Sequence, residues 1–355
     1  MSVDDLRKRI DELDLKIVGL IGERCRIARD IGRDKKERRR LIEDKGRESQ
    51  VLGNVKKAAR DFDIKPADIE NIYTEIIGAC RRLQGAEVSY QGEAGSYAEE
   101  AALAFFGGTM ELRPKERLED VFRAVEEAAV QFGVVPIENS LEGSISRVYD
   151  LLLDSTLMVC GELELRVSHC LIGADDAGLD TISKVYSHPQ ALAQSRNFLK
   201  HLKAELIPTY NTAASVKMVK ESGEPGSAAI ASARAAAIYD MKIIAREIED
   251  NPNNFTRFFI LSGEDSPPSG SDKTSIVFST KDRPGALYHS LGEFASRDVN
   301  LTKLESRPTR HKPWEYNFYL DFAGHRQDQP AAEALASLEK TCIFVKILGS
   351  YPKAR

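Results

Sequence analysis

Apolar residues near the N-terminus recur at alternating steps of three and four. The series runs through Val3, Leu6, Ile10, Leu13, Ile17, Leu20, Ile27 and Ile31. Residues at these steps share one face of a helix, and a face of this length is typical of long, coiled-coil-like helices. The pattern predicts a helix over 3–40 whose apolar face is large enough to need a partner chain.

The first 86 residues contain a single proline, Pro66. Its surroundings indicate the end of one helix and the start of another. We therefore expect two further helices, near 42–60 and 66–84, in an all-helical domain over 1–86. Charges of both signs interleave here, with 21 Lys and Arg against 17 Asp and Glu. This mixture favours a charged helical bundle over a tail that binds nucleic acid.

The spacing of the apolar residues changes at residue 87. Short apolar runs now alternate with polar loops and helical stretches, and they lie at 88–90, 133–137, 184–186, 204–207, 228–231 and 242–244. This alternation predicts an α/β domain over 87–262, in which ligands bind at the carboxyl ends of strands. We expect its last buried strand at 258–261, with Thr256 and Arg257 preceding that strand.

A segment rich in Gly, Pro and Ser follows at 263–272 and is interpreted as a linker. Beyond it, apolar runs and helical stretches alternate in the order strand, helix, strand, strand, helix, strand. This is the ferredoxin-like order, and it predicts an α+β domain over 273–355. The expected fold class is therefore multidomain, with an all-α domain, an α/β domain and an α+β domain in succession.

Composition limits the function classes. No apolar run reaches 18 residues, and the N-terminus is charged from residue 4 and lacks the apolar core of a signal peptide. Five scattered cysteines without ligand spacing are expected to be reduced thiols in the cytoplasm. The glycosylation sequon that begins at Asn254 is then a chance match. Phosphate-loop and dinucleotide motifs do not occur, so we expect no nucleotide, cofactor, metal, nucleic acid or membrane partner.

Three cations lie on or beside the apolar stripe of the first predicted helix: Arg7, Arg24 and Lys35. A charge that faces a bundle core is costly unless it is paired. Each cation could simply pair with a carboxylate of a neighbouring helix, but three on one face favour a bound dianion. Further polar candidates are Asp44, Arg47 and Glu48 on the middle helix and Gln84 at the end of the third.

These residues resemble the all-helical chorismate mutases. The motifs are LRKRIDELD, ERCRIARDIGRDK, RES and ACRRLQ, and they cover residues 3–85. The resemblance implies that the cations bind the two carboxylates of chorismate and that Lys35 and Gln84 donate to its ether oxygen. It further implies that Asp44 and Glu48 hold a hydroxyl, and that Arg7 reaches the site of a second chain. Cys80 departs from the small polar residue expected at its position.

The loops of the predicted α/β domain are rich in hydroxyls, amides and helix N-caps, which favour anions. Two residues remain ambiguous. His188 precedes a proline and is either a structural hydrogen-bonding group or a catalyst, and Glu138 either faces a ligand or braces its loop.

The same loops resemble prephenate dehydratases over 87–262, through VPIENSLEGS, SHPQALAQ, NTAAS and NFTRFFIL. The resemblance implies two lobes of the periplasmic-binding-protein type that close on prephenate. Thr256 would contact the leaving hydroxyl, and Arg257 would hold a carboxylate or order the cleft. The remaining cleft residues would be Glu138, Asn139, Ser140, Ser187, His188, Gln190, Asn211, Thr212 and Phe258. Thr256 is a poor acid by itself, so Glu138 and His188 are the candidates for a general acid.

The C-terminal region contains the motifs GAL, at Gly285, Ala286 and Leu287, and ESRP, which includes Glu305 and Ser306. By packing alone, Gly285 caps a helix and Arg307 forms a surface ion pair. The region resembles the ACT domain that follows dehydratase domains. The resemblance implies a phenylalanine site at a dimer interface, beside Asn300, Leu301 and Thr302.

The leading hypothesis is a bifunctional enzyme that carries chorismate through prephenate to phenylpyruvate under feedback by L-phenylalanine, as a homodimer or homotetramer. One alternative is a dehydratase whose helical domain only dimerises. Another is a ligand sensor without catalytic activity, because fold alone does not decide function.

Overall fold

The structure is a computed structural model that describes residues 2–37, 45–108, 110–309 and 315–354. The chain divides into two units, one of residues 1–88 with 106–113 and the other of residues 89–105 with 114–355. Within the described ranges, no helix has the length and apolar character needed to cross a membrane.

In its described residues, the helical domain contains three α-helices, as the sequence predicts. They are α1 (Val3–Glu37), α2 (Lys45–Ala59) and α3 (Pro66–Leu83), with a 3-10 turn at Arg60–Phe62. Pro66 stands at the first position of α3, where its missing N–H costs nothing. The apolar side chains of α1 from Val3 to Leu20 are exposed within a single chain. The predicted junction between the first two helices lies outside the described residues.

The α/β region contains two sheets with helices around them. Its strands are β1 (Glu87–Gln91), β2 (Glu111–Lys115), β3 (Phe132–Asn139), β4 (Gly143–Ser144), β5 (Met158–Arg166), β6 (Cys170–Gly173), β7 (Lys184–Ser187), β8 (Glu205–Pro208), β9 (Ser227–Ala231), β10 (Lys242–Ala245) and β11 (Phe255–Ser262). Its α-helices are α4 (Tyr97–Phe106), α5 (Leu118–Glu126), α6 (Ser146–Asp154), α7 (Pro189–Gln194), α8 (Arg196–Leu199), α9 (Thr212–Ser222) and α10 (Ala233–Ile238).

The two sheets form two lobes. The first lobe has the strand order β2-β1-β3-β11-β5, with β4 beside β3, and the second has the order β10-β6-β9-β7-β8. The chain crosses between the lobes twice, after β5 and again before β11. Strand β11 thus returns to the first lobe and pairs with β3 on one side and β5 on the other. This arrangement confirms the expected two-lobed α/β architecture.

Strand β11 is longer than the sequence predicts. It begins at Phe255, so Thr256 and Arg257 lie inside the strand and do not precede it. Along this segment β11 pairs with β3 on one side and with β5 on the other. The hydrogen bonds between strands join backbone groups, so they do not depend on the polarity of the side chains. The polar pair therefore interrupts the apolar pattern without interrupting the strand.

The C-terminal domain has the predicted ferredoxin-like order. Its elements are β12 (Asp272–Ser279), α11 (Ala286–Ala295), β13 (Leu301–Pro308), β14 (Tyr316–Ala323), α12 (Gln329–Thr341) and β15 (Phe344–Pro352). The antiparallel sheet has the order β13-β14-β12-β15, with both helices packed on one face around Phe294, Leu320 and Leu338.

The predicted linker, residues 263–272, forms hydrogen bonds with neighbouring elements, although its composition is that of a flexible segment. Ser266 donates to the carbonyl of Cys160, and the His325 ring lies 3.2 Å from the carbonyl oxygen of Ser266. The carboxylate of Asp272 accepts from the backbone N–H groups of Ser269 and Gly270. These local bonds give the segment one conformation.

The first lobe and the C-terminal sheet share one hydrophobic core. Phe259 and Leu261 of β11 belong to the same buried cluster as Val277, Tyr319 and Tyr351 of the C-terminal strands. A Cβ atom on Gly349 of β15 would lie 2.0 Å from the carbonyl oxygen of Val159 in β5. The backbones therefore approach too closely for any side chain there, and the two sheets form a continuous packed contact, which we call the seam.

Candidate active sites

The helical domain has an open cavity of about 420 Å³ between α1, α2 and α3. The cavity brings together six residues that the sequence predicts for a mutase site, namely Arg24, Lys35, Arg47, Glu48, Cys80 and Gln84. Its apolar lining comes from Ile27, Ala28, Ile31, Val51 and Ile77. The apolar stripe of α1 is thus exposed in the N-terminal half of the helix and lines the pocket in the C-terminal half.

The described residues that line the pocket include more cations than carboxylates. Arg81, which the sequence interpretation missed, also lines it and forms a two-point ion pair with Glu48, with Nε 2.7 Å from Oε1. Glu48 is therefore engaged with Arg81 before any ligand binds. Arg24 donates to the sulfur of Cys80. The described lining holds four cations and one carboxylate, a composition that suits an anionic ligand.

Another predicted residue, Arg7, is not among the residues that line this cavity. Arg7 lies 17 positions before Arg24 on α1, about 25 Å away along the helix axis. Its side chain is 74% exposed and pairs with Asp4. Arg7 therefore cannot reach the pocket of its own chain. Asp44 lies outside the described residues.

Thr256 and Asn139 meet where β11 and β3 pair at the end of the first sheet. Their backbones are in direct register, and Asn139 Nδ2 donates to Thr256 Oγ1 at 3.0 Å. Asn139 is itself fixed, because its Oδ1 accepts from the N–H groups of Leu141 and Glu142. Within the part of the chain that the structure describes, the Thr256 hydroxyl has no acceptor for its own proton. It can therefore donate to a ligand.

A buried hydrogen-bond chain extends from Asn139 across both crossings between the lobes. Asn139 Nδ2 also donates to Asn254 Oδ1, and Asn254 Nδ2 donates to Gln194 Oε1 at 2.9 Å. His169 Nε2 lies 3.0 Å from the same Gln194 oxygen, and its Nδ1 lies 2.8 Å from the Tyr97 hydroxyl. The network joins β11, helix α7 and helix α4 into one polar unit.

His169 is neutral in this network. Burial lowers the pKa of His169, which is 2% exposed, despite the opposing influence of Gln194 and Glu249. The Tyr97 hydroxyl, which lies against His169 Nδ1, also donates to the carbonyl of Ser168 at 2.7 Å. The sequence interpretation missed this part of the site. Gln194 closes the motif SHPQALAQ and Asn254 opens the motif NFTRFFIL, whereas no local pattern singles out His169.

Several residues predicted to line the cleft instead form hydrogen bonds with backbone groups. The buried Ser187 hydroxyl donates to the carbonyl of Ile230, and Ser140 donates to the carbonyl of Asn253. His188 caps α7 by accepting from the N–H of Gln190, and Asn211 caps α9. The structural interpretation of His188 is thus favoured over a general acid. The predicted Gln190 and Thr212 are half-buried in the first turns of the same two helices.

Arg257 does not face the cleft, contrary to the expectation. Adjacent strand residues project to opposite sides of a sheet, so the Thr256 and Arg257 side chains diverge. Arg257 Nη1 lies 2.6 Å from Asp321, its Nε 2.7 Å from Glu162, and its Nη2 3.0 Å from the Tyr351 hydroxyl. Glu162 also pairs with Lys273 at 2.7 Å. These residues form the buried charge cluster of the seam.

Phe258 and Glu138 are also placed differently from the cleft expectation. Phe258 is fully buried and belongs to the interior of the first lobe, so it is not free to contact a ligand. Glu138 pairs with Lys303 of β13 at 2.7 Å. Burial by itself lowers the pKa of Lys303, but Tyr149 and Glu138 raise it above its usual range. Glu138 therefore acts as a brace across the seam, one residue before Asn139.

The C-terminal domain has a cavity of about 370 Å³ at the start of α11. Its lining includes the predicted Gly285, Ala286 and Leu287, together with Arg283 and Tyr316. Gly285 has a φ of 80°, a left-handed conformation that favours glycine, and it stands before the first residue of α11.

The other predicted regulatory residues lie elsewhere in the single chain. Asn300, Leu301, Thr302 and Ser306 are on or beside β13, an edge strand of the sheet, and are outside the cavity. The Glu305 carboxylate interacts with Lys303 and Ser144 of the seam. Arg307 is buried and pairs with Asp150 at 3.4 Å, so the expected surface ion pair is instead an interior one.

Three domain families match this chain in order. Chorismate mutase type II matches residues 6–85, prephenate dehydratase matches residues 88–266, and the ACT domain matches residues 274–340. A curated bifunctional chorismate mutase/prephenate dehydratase from Aquifex aeolicus (strain VF5) is 38% identical over 359 residues, which cover 99% of this chain and 98% of that protein.

Two solved structures are similar at a TM-score of 0.70. One, described as GqqA, a novel type of quorum quenching acylase, is 33% identical and covers 75% of this chain and 97% of its own. The other is prephenate dehydratase from Arthrobacter aurescens in complex with L-Phe, which is 32% identical and covers 76% of this chain and 90% of its own.

The fold and the matched domains define a class, an enzyme with two catalytic domains followed by an ACT domain. Within that class, this chain belongs to the bifunctional chorismate mutase/prephenate dehydratase family.

The buried His169 predicts a pH-dependent stability. An unfolded chain takes up a proton near pH 6.5, whereas the folded imidazole resists it because its pKa is lowered. We expect the wild type to lose stability as pH falls below about 6.5, and this loss to be complete below the folded pKa. His169→Gln should remove that contribution, so the difference in Tm between wild type and variant changes between pH 8 and pH 5. The exposed His201→Gln serves as the control, and Tm curves of wild type and His169→Gln that run parallel would contradict the prediction.

Proposed function

We propose that this chain converts chorismate to prephenate in the helical domain and prephenate to phenylpyruvate in the α/β domain. Two observations together support the proposal. The helical domain has a pocket lined by cations, and in the α/β domain Asn139 donates to the Thr256 hydroxyl, whose own proton is left for a hydrogen bond to a ligand. The similar structure described as an acylase shares the fold, so the fold alone does not decide this function. The gathered cations also weigh against a helical domain that only dimerises, and the donor at Thr256 weighs against a sensor without activity.

The first reaction is a Claisen rearrangement and needs no nucleophile. Arg24 and Arg47 are placed to bind the carboxylates of chorismate and to hold its side chain over the ring. Lys35 and Gln84 donate to the ether oxygen as its C–O bond breaks and a C–C bond forms. Holding the compact conformer contributes about 7–11 kcal/mol in well-oriented reactions. A preorganised donor to the developing charge adds about 3 kcal/mol.

The position of Gln84 depends on a glycine. A Cβ atom on Gly32 of α1 would lie 2.7 Å from the Cα and the carbonyl oxygen of Gln84. The absence of a side chain at Gly32 thus lets the end of α3 approach α1 and brings the Gln84 amide to the pocket.

The second reaction expels carbon dioxide and hydroxide from prephenate. The electrons of the bond to the carboxylate enter the ring, the C–O bond to the ring hydroxyl breaks, and an aromatic ring results. Aromatisation supplies much of the driving force, so hydrogen-bond donation to the departing oxygen suffices. Thr256 makes this donation, because Asn139 occupies the acceptor side of its hydroxyl. Asn254, Gln194 and His169 hold Asn139 in place and are positioning residues.

The exposed half of α1 supports a homodimer. Its apolar face from Val3 to Leu20 needs cover, and Arg7 lies too far from its own pocket to serve it. In the proposed assembly, α1 packs against a second copy of the chain and Arg7 completes the pocket of that copy. A homotetramer would require a further contact, for which the edge strand β13 is available. We place the enzyme in the cytoplasm, in keeping with its free cysteines.

L-Phenylalanine is the proposed feedback ligand of the C-terminal domain. The cavity beside Gly285–Leu287 has room for an amino acid, and Asn300–Thr302 of a second copy would complete it, as the family resemblance implies. Inhibition requires that phenylalanine bind the inactive arrangement more tightly. Two seam contacts offer the route to the dehydratase site. Lys303 forms an ion pair with Glu138, the residue before Asn139. Asp321 forms an ion pair with Arg257, the residue after Thr256.

Two substitutions should separate the reactions. Thr256→Ala removes the donor, and we expect phenylpyruvate formation to fall about 100-fold to 1,000-fold while chorismate consumption is unchanged. Arg24→Ala removes a carboxylate ligand, so mutase activity falls by a similar factor while supplied prephenate is still dehydrated. Both rates are measured spectroscopically on the purified full chain. A Thr256→Ala enzyme with full dehydratase activity would show that this hydroxyl is not the donor.

Gly32→Ala should impair the mutase without a change of charge. The added methyl group displaces Gln84, and a misplacement of about 1 Å can cost about 100-fold in rate. The matched control is Gly22→Ala, also in α1, where a Cβ atom meets nothing within 4 Å. We expect the control to keep wild-type mutase activity, and dehydration of supplied prephenate to be unchanged in both. Equal mutase rates in the two variants would rule out the role of Gly32.

Lys303→Gln should weaken feedback, because it breaks the contact with Glu138 but leaves both catalytic sites and the Gly285 cavity intact. We expect the phenylalanine concentration for half-inhibition of the dehydratase to rise about 5-fold to 150-fold, the usual range of coupling between sites. The exposed Lys340→Gln of the same domain should behave as wild type. Unchanged sensitivity of Lys303→Gln would exclude this route. A wild type that neither binds nor responds to phenylalanine would exclude the regulation itself.

A further inference from the structure

Two cysteines are in contact at the edge of the helical pocket. The sulfur atoms of Cys25 on α1 and Cys80 on α3 are 3.8 Å apart, although 55 positions separate them in the sequence. Both are free thiols. Cys80 is 2% exposed and lines the pocket, where Arg24 donates to its sulfur. Cys25 is half-buried and lies outside the pocket lining.

We propose that Cys25 and Cys80 form a reversible oxidation site, and that their disulfide switches off the mutase pocket while the dehydratase continues to work. The inactivation part of this inference rests on the proposed function of the pocket. The disulfide itself depends only on the two sulfur positions.

The chemistry requires a peroxide as the oxidant. In the first step Cys25 sulfur attacks hydrogen peroxide, the O–O bond breaks, and one water leaves as Cys25 becomes a sulfenic acid. In the second step Cys80 sulfur attacks Cys25 sulfur, the S–O bond breaks, and the thiol proton leaves with the hydroxyl as a second water. Two thiols are oxidised, and one peroxide is reduced to two waters. A dithiol reductant reverses the process through a mixed disulfide.

The environments of the two thiols assign this order. The thiolate is the reactive form of a cysteine. Burial raises the pKa of the Cys80 thiol, and the neighbouring Arg24 only partly offsets this effect. Cys80 is also shielded from solvent, whereas peroxide can reach the half-buried Cys25. Cys25 is therefore oxidised first, and Cys80 resolves the sulfenic acid because it is already in contact.

Disulfide formation must change the pocket. The sulfur atoms have to move from 3.8 Å to a bond of about 2.05 Å. We expect this movement to draw Cys80 away from the Arg24 guanidinium and to displace α3 relative to α1. The Gly32 contact with Gln84 leaves no space to absorb the shift. Arg24 and Gln84, two of the proposed ligands of chorismate, are then both displaced.

The experiment uses the full-length protein treated with hydrogen peroxide, then divided and treated with or without dithiothreitol. Tryptic peptides are analysed by mass spectrometry without reduction, and both activities are assayed, with prephenate supplied for the dehydratase. We expect a linked peptide that joins Cys25 to Cys80 and a fall in mutase activity of about 100-fold, the usual cost of displacing catalytic groups by about 1 Å. Dithiothreitol should restore the activity, and the dehydratase should be unaffected.

The decisive variant is Cys25→Ser, because Cys25 is outside the pocket lining. We expect it to keep mutase activity and to resist peroxide. The matched control is Cys160→Ser, another half-buried cysteine, which should remain as sensitive as wild type. The proposal is overturned if no Cys25–Cys80 peptide forms, if the link joins two chains, or if Cys25→Ser is inactivated like the wild type. A linked peptide in a protein without mutase activity before treatment would keep the disulfide site and refute the proposed pocket function.

Discussion

The buried pairing of Arg257 with Glu162 and Asp321 is the interaction on which the arrangement of the larger unit depends. Glu162 is fully buried, and Arg257, Lys273 and the backbone N–H of Ala354 satisfy its carboxylate. Burial alone would raise the pKa of Glu162, but the two cations lower it below its usual range. Removal of one partner from such a cluster leaves an uncompensated charge in the interior and typically costs about 3–5 kcal/mol. The first lobe and the C-terminal sheet are thus held in one relative position.

The position of this charge cluster on β11 links structure to function. Arg257 faces the seam, and the preceding residue, Thr256, faces the opposite side of the same sheet. One strand therefore carries both the proposed hydrogen-bond donor and an anchor of the C-terminal domain. Strand β3 repeats the arrangement, since Asn139 contacts Thr256 and Glu138 contacts Lys303. The C-terminal sheet thus contacts the residues next to Thr256 and Asn139 through two adjacent strands.

The helical pocket follows a different principle. Its walls are apolar side chains with cations at their edges, and Glu48 is paired with Arg81. A glycine at 32 and a cysteine at 80 set how closely α1 and α3 approach. The same close approach that places Gln84 at the pocket also brings the Cys80 sulfur to that of Cys25. Catalytic geometry and the proposed sensitivity to oxidation therefore have one structural origin.

The order of the three domains, the three-helix domain and the ferredoxin-like C-terminal domain could all be predicted from the sequence. Each follows from a local repeat of apolar residues, and such repeats report which face of an element is buried. The cationic pocket was predictable for the same reason, because Arg24 and Lys35 continue the apolar stripe of α1. Thr256 emerged from a polar interruption within an apolar run and from the family resemblance.

Tertiary structure alone decided what each polar side chain contacts. The sequence placed Arg257 beside Thr256, but its direction depends on the register of β11 between β3 and β5 and on the domain packed behind them. His169, Tyr97 and Gln194 meet only because the chain crosses twice between the lobes. Cys25 and Cys80 meet only because α3 returns along α1. Local patterns determine secondary structure and burial, whereas contacts between distant residues depend on how the elements pack.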